Sequence, residues 1–271
     1  MKHPLRITFL LIVLFLLIQI FGLYTVQRYD QTEVSAETGE IVVVHQDTVF
    51  GEQPKVEKKE LSFIPIMIII LVGTAIIFLL MRFKLGHFWK YGFVAAVFFS
   101  ISITLGVYIN AIIATILALV FALLKVFKPN MIIHNLTEIL IYPGITIVML
   151  PFFNLFSVIV LLLLISVYDI YAVNKSKHMI TLAKFQTSSK AFAGLFVPYE
   201  MGGDKAEKTA SRMVLKEEPK GKSQVQDDKG KSAILGGGDI AFPLIFSAVV
   251  YEDFLIKGFV PQHAFLISSI I

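Results

Sequence analysis

The chain has 271 residues, 56% of them hydrophobic and 16% charged, with a formal net charge of +4 and no cysteine. Soluble domains carry about one quarter charged residues, so this balance excludes an ordinary water-soluble globule and points to lipid. The missing cysteines exclude disulfides, thiolate metal sites and a cysteine nucleophile, and the positive residues lie in connections between apolar runs, which makes no case for nucleic acid as a partner.

The first apolar run extends from Leu5 to about Tyr24 behind Lys2 and Arg6. It is longer than a signal-peptide core, and no small-x-small cleavage site follows Phe21-Gly22-Leu23-Tyr24. It reads as an uncleaved first span over residues 5–26. Further spans are expected at 62–82, 88–108, 110–127, 131–151, 154–173 and 233–251, since a bilayer needs about 20 helical residues. Tyr108-Ile109-Asn110 supplies the turn between the third and fourth. An eighth span begins near 258 and is too short to cross before Ile271, so a truncated chain without a ninth span is expected. The expected fold is all-α, a polytopic transmembrane helical bundle. Residues 1–173 would hold helices 1–6, residues 174–232 a hydrophilic loop, and residues 233–271 helix 7 and an incomplete helix 8.

Basic residues mark the cytoplasmic side of short loops. Lys2 and Arg6, then Arg82, Lys84 and Lys90, then Lys125 and Lys128 fall on one side, together with twelve of the 24 Lys and Arg in the 174–232 segment. The first opposite loop is acidic, with Asp30, Glu33, Glu37, Glu40, Asp47, Glu52, Glu57 and Glu60. A cytoplasmic N-terminus and a cytoplasmic 174–232 loop follow, and the expected location is the cell membrane. Within that loop, residues 174–200 mix basic and apolar side chains and are expected to lie along the membrane surface. Residues 201–232, rich in Lys, Glu, Asp, Gly and Ser, are expected to be flexible.

An ionisable group inside a span costs at least a few kcal/mol and so asks for a reason. Asp169 lies in the sixth span, five residues before Asn174, roughly 7–8 Å from that end at about 1.5 Å per residue. Asp239 lies in the seventh, eight residues after Lys231, roughly 12 Å from that charge. One span descends to the cytoplasm and the other rises from it, so both carboxylates reach a similar depth in one leaflet. Two close carboxylates share a proton. Such a pair can deprotonate a water and protonate a peptide oxygen in the same step, which is acid–base hydrolysis of an amide. Gly236-Gly237-Gly238 weakens helix beside Asp239 and permits close backbone approach. Pro243 has no N–H to offer the Asp239 carbonyl. Tyr168 precedes Asp169 and points elsewhere on its helix.

At these residues the chain resembles the presenilin and signal peptide peptidase family of intramembrane aspartyl proteases. Tyr168-Asp169 matches that family's Tyr-Asp motif, and Gly236-Gly237-Gly238-Asp239 matches its Gly-x-Gly-Asp motif. The span number, the long hydrophilic loop and the N-inside orientation resemble the presenilin branch, and the compact loops an archaeal presenilin homologue. The resemblance implies Asp169 and Asp239 as the catalytic pair and hydrolysis of peptide bonds within transmembrane helices. The implied partners are a substrate's transmembrane helix and the lipid bilayer, with no metal or organic cofactor. Tyr168, Gly236, Gly237, Gly238 and Pro243 would shape the site. The family's Pro-Ala-Leu motif and ninth span are not found in this sequence.

The main alternative is a proton- or cation-coupled transporter or channel, which also places carboxylates in broken helices at one depth. A noncatalytic scaffold would tolerate loss of both acids. His134 and Glu138, four apart on one helical face, make a metal site conceivable, but a helix start with a satisfied Asn135 or Thr137 is the preferred reading. No His-Glu-x-x-His or Gly-x-Ser-x-Gly occurs.

Overall fold

The computed structural model describes residues 5–34, 192–198 and 232–270, and residues 41–171 except 55, 57, 84 and 129. The chain is a mostly helical membrane bundle. Its helices are α1 (Leu5–Tyr29), α2 (Phe63–Arg82), α3 (Gly86–Gly106), α4 (Ala111–Phe127), α5 (Met131–Met149), α6 (Leu155–Tyr171), α7 (Gly237–Ile256) and α8 (Pro261–Ile270). Their positions agree with the apolar runs to within a few residues. Four helical stretches, Leu5–Tyr29, Lys59–Arg82, Gly86–Gly106 and Met131–Phe152, are long and apolar enough to cross a membrane by length and composition. At 17 residues each, α4 and α6 are shorter.

Local chemistry sets the helix ends. Asn110 and Asn130 cap α4 and α5, their side chains accepting from the amides of Ile112 and Ile132 at 2.9 and 3.0 Å. After α5 a 3₁₀ turn at Leu150–Phe152 contains Pro151. Asn154 and Ser157 then start α6 reciprocally: the Ser157 amide donates to Asn154 Oδ1 at 2.8 Å, and the Asn154 amide to Ser157 Oγ at 3.0 Å.

Helix α5 lies at the centre of the bundle, in contact with α1, α3, α4 and α7. Lipid tails are as apolar as leucine, so the helices associate through close packing and hydrogen bonds more than through hydrophobic burial. Gly144 shows how close. A Cβ there would stand 2.0 Å from the Ser100 backbone oxygen of α3, and Thr104 of α3 donates to the Leu140 carbonyl at 2.7 Å. The main core joins Ile18, Leu23 and Val26 of α1, Tyr142 and Ile147 of α5, Leu161 of α6, and Ile240, Leu244 and Ala248 of α7. By contrast α2 buries no residue and turns Ile68, Ile69, Val72 and Leu79 outward, as a lipid-facing helix does.

Two short antiparallel hairpins interrupt the helical pattern. Strand β1 (Asp30–Val34) pairs with β2 (Ile41–His45), Asp30 opposite His45. Strand β3 (Gly194–Pro198) pairs with β4 (Ser232–Gly236), Gly194 opposite Gly236. The second hairpin corrects one expectation: residues 233–236 form a strand instead of opening the seventh span, and residues 194–198 are its partner strand. The reason is alternation: Leu195 and Val197 are buried with Phe196 between them less so, and Val197 and Ala233 pack on Ile7 of α1. Most of the expected hydrophilic loop, at 174–191 and 199–231, lies outside the described residues.

Candidate active site

Strand β4 runs into α7 without a connecting residue. Gly236 ends the strand and caps the helix in extended conformation, with φ −63° and ψ 148°. Of the three glycines expected to unwind the helix, only Gly236 does so; Gly237 and Gly238 form its first turn. Asp239 is therefore the third residue of α7, at a helix end whose first amides have no partner within the helix. Its carboxylate folds back over the strand end, because a Cβ on Gly236 would meet Asp239 Oδ2 at 3.1 Å. Pro243 lies inside α7, so the Asp239 carbonyl lacks its usual helical donor. The next carbonyl, that of Ile240, accepts from Gln19 Nε2 of α1 at 3.0 Å.

Asp169 lies two residues before the end of α6, and α6 packs against α7. It is half-buried, whereas Asp239 is exposed at the protein surface. The Asp239 charge acts on the Asp169 carboxyl. The two acids, 70 positions apart in sequence, thus stand within electrostatic reach of one another. Tyr168 is half-buried beside Asp169.

A second polar group, on α4 and α5, supports the β4–α7 junction. Lys125 and Glu138 are both buried and paired, Nζ to Oε1 at 2.6 Å. Lys125 also donates to Thr137 Oγ1 at 3.0 Å. The Tyr142 hydroxyl donates to Glu138 Oε2 and lies against Gly237, where a Cβ would meet it at 3.2 Å. Asp239 is among the charges acting on that hydroxyl. Lys125, expected among the cytoplasmic cations at a span end, is a buried ion-pair partner instead.

The remaining polar residues of α5 hold β3. His134 Nε2 lies 2.8 Å from the Gly194 carbonyl and so carries the proton, which leaves Nδ1 to accept from Lys125 Nζ at 3.4 Å. Asn135 clamps Phe196 from both sides, Nδ2 donating to its carbonyl at 2.9 Å and Oδ1 accepting from its amide at 3.1 Å. His134 and Glu138 are thus engaged separately, 3.8 Å apart, and the helix start belongs to Asn130. Neither reading offered for this polar stretch anticipated its work, which is to seat a strand.

These contacts occupy the outer edge of β3. Its residues Gly194 and Phe196 turn their backbone groups to α5, while β4 takes the other side. Among the described residues no strand pairs with the outer edge of β4, and the Ile234 side chain is exposed.

The family model described as signal-peptide peptidase, presenilin aspartyl protease matches residues 52–266, a range that contains both aspartates. The chain belongs to this family. No curated protein matches it, and no solved structure does. Membership makes it a membrane protein of an intramembrane aspartyl protease family, and it weighs against the transporter alternative.

Proposed function

We propose that the chain hydrolyses peptide bonds within transmembrane helices of other membrane proteins, with Asp169 and Asp239 as the catalytic dyad. The observation that supports this reading is the packing of α6 against α7, which sets the end of α6 that carries Asp169 and the start of α7 that carries Asp239 within electrostatic reach. One acid, ionised, takes a proton from water as that water attacks the scissile carbonyl carbon. The other, protonated, gives its proton to the peptide group, so the C–N bond breaks and the amine leaves neutral. The dyad exchanges roles for the next turnover, and no cofactor enters this scheme.

A helical substrate hides its amides in its own hydrogen bonds, so a segment must be drawn out before it is cut. The outer edge of β4, unpaired among the described residues, supports strand addition as the way this is done. A substrate segment paired there would lie beside the backbone leading directly to Asp239. The proposed orientation keeps the N-terminus and the 174–232 loop cytoplasmic, which places the dyad in the cytoplasmic leaflet. Two measurements test the reading. Mass spectrometry of products from a single-span substrate should locate the cut inside the span, near its cytoplasmic end; a cut confined to the flanking loops would contradict it. The rate should be bell-shaped in pH because the pair shares a proton. A rate rising steadily from acid to alkaline pH would contradict the shared proton.

A further inference from the structure

Two buried acids and a half-buried histidine meet at the end of the bundle remote from Asp239. Asp30 opens β1 directly after α1, and His45 closes β2 as its register partner. Glu252 follows Asp239 on α7 by thirteen residues, about 20 Å along the helix at about 1.5 Å per residue. His45 faces both acids, with Nδ1 2.9 Å from Asp30 Oδ1 and Nε2 3.8 Å from Glu252 Oε1. The side chains of Asp30 and Glu252 are 0% and 7% exposed. Among the described residues, Asp30 Oδ2, Glu252 Oε1 and the Tyr29 hydroxyl are buried without a hydrogen-bond partner.

Buried carboxylate oxygens without donors are costly, and the protein groups nearby do not relieve them. The second nitrogen of His45 is beyond hydrogen-bond distance of Glu252. Lys59 acts on both acids electrostatically, yet no ion pair joins it to either among the described residues. Burial raises the Asp30 carboxyl above the usual carboxylate range, with His45 and Lys59 pulling the other way. A divalent cation would engage all three side chains at once and neutralise two carboxylates. One ligand atom from each of Asp30, His45 and Glu252 lies within 4.8 Å of the others, so small side-chain rotations bring them to bonds of about 2.0–2.2 Å. A cleft of about 540 Å³ lined by His45, Asp47, Glu52 and Lys59 gives access and room for a completing water.

We propose that Asp30, His45 and Glu252 form a binding site for a divalent transition-metal ion, Zn²⁺ by the character of the donors, which pins the β1–β2 hairpin to α7. One imidazole and two carboxylates with a water make a donor set that suits zinc. Filling the site would fasten the hairpin to the helix that carries Asp239 at its other end.

The test uses Zn²⁺ alone, added to the full chain in detergent after EDTA treatment and without an affinity tag. About one Zn²⁺ per chain should survive dialysis, as a single site requires, and Zn²⁺ should raise the Tm in a way that EDTA reverses. His45→Asn and Glu252→Gln should each weaken retention about tenfold or more. Retention should persist in the Asp239→Asn background, which separates this site from the proposed dyad. The proposal is overturned if the parent neither retains Zn²⁺ nor gains Tm, if both ligand variants retain it equally well, or if retention is lost with Asp239→Asn. Should a ligand variant fail to fold, the parent's EDTA-reversible Tm shift still decides.

Discussion

The Tyr142 hydroxyl stands 3.2 Å from the point where a Cβ on Gly237 would sit. It cannot easily withdraw, because Glu138 accepts its hydrogen bond and Lys125 holds Glu138. Ala193 closes the other side at 3.4 Å. Gly237→Ala therefore pushes on the first turn of α7, two residues before Asp239. Misplacement of a reacting group by well under an ångström costs about tenfold in rate. The variant should lose about that much kcat while keeping most of its thermal stability. Adding Tyr142→Phe, which deletes the oxygen in the way, should recover part of the loss. Strictly multiplicative losses in the double variant would show that the two residues are not coupled.

The Lys125–Glu138 pair is fully buried, so removing one partner strands a charge. Lys125→Met should lower stability by about 3–5 kcal/mol, read as thermal unfolding in detergent. Lys125→Met combined with Glu138→Gln leaves no buried charge and should regain most of it. Equal stability of the single and double variants would contradict the pairing.

Asn135→Ala removes both clamps on Phe196. Each backbone group left buried without a partner costs about 1–3 kcal/mol. Hydrogen exchange at Leu195, Phe196 and Val197 should accelerate, and substrate cleavage should fall because β3 no longer seats β4. Unchanged exchange with lowered cleavage would place Asn135 elsewhere in the mechanism.

The helices were legible in the sequence because lipid demands long apolar runs, and the ends at Asn110 and Asn130 follow from ordinary capping chemistry. The two aspartates stood out because a carboxylate in such a run is rare. The strands were hidden. Residues 194–198 and 232–236 are separated by more than thirty residues, and neither segment is long enough to announce a strand alone; only their pairing explains the buried positions of Leu195 and Val197. Lys125 lies near a span end, where a lysine ordinarily reaches water, so its burial has no local signal. Its partner Glu138 sits thirteen positions away on the next helix, and no local pattern joins the two. Tyr142 had no signal beyond its spacing of four from Glu138.

The chain's lack of cysteine permits a direct test of how close the two acids lie. The double variant Asp169→Cys/Asp239→Cys should be joined by a short bis-thiol crosslinker, and the product should run as a single compacted band. Crosslinking no faster than that of a control pair on opposite faces of α6 and α7 would contradict their proximity.

The most direct measurement is cleavage of a fluorescent single-span substrate by the parent chain, by Asp169→Asn and by Asp239→Asn, each folded to the same Tm in detergent. The dyad predicts cleavage by the parent and none above background by either variant, because a single carboxyl can neither share a proton nor serve as acid and base together. Cleavage persisting in either variant would contradict it.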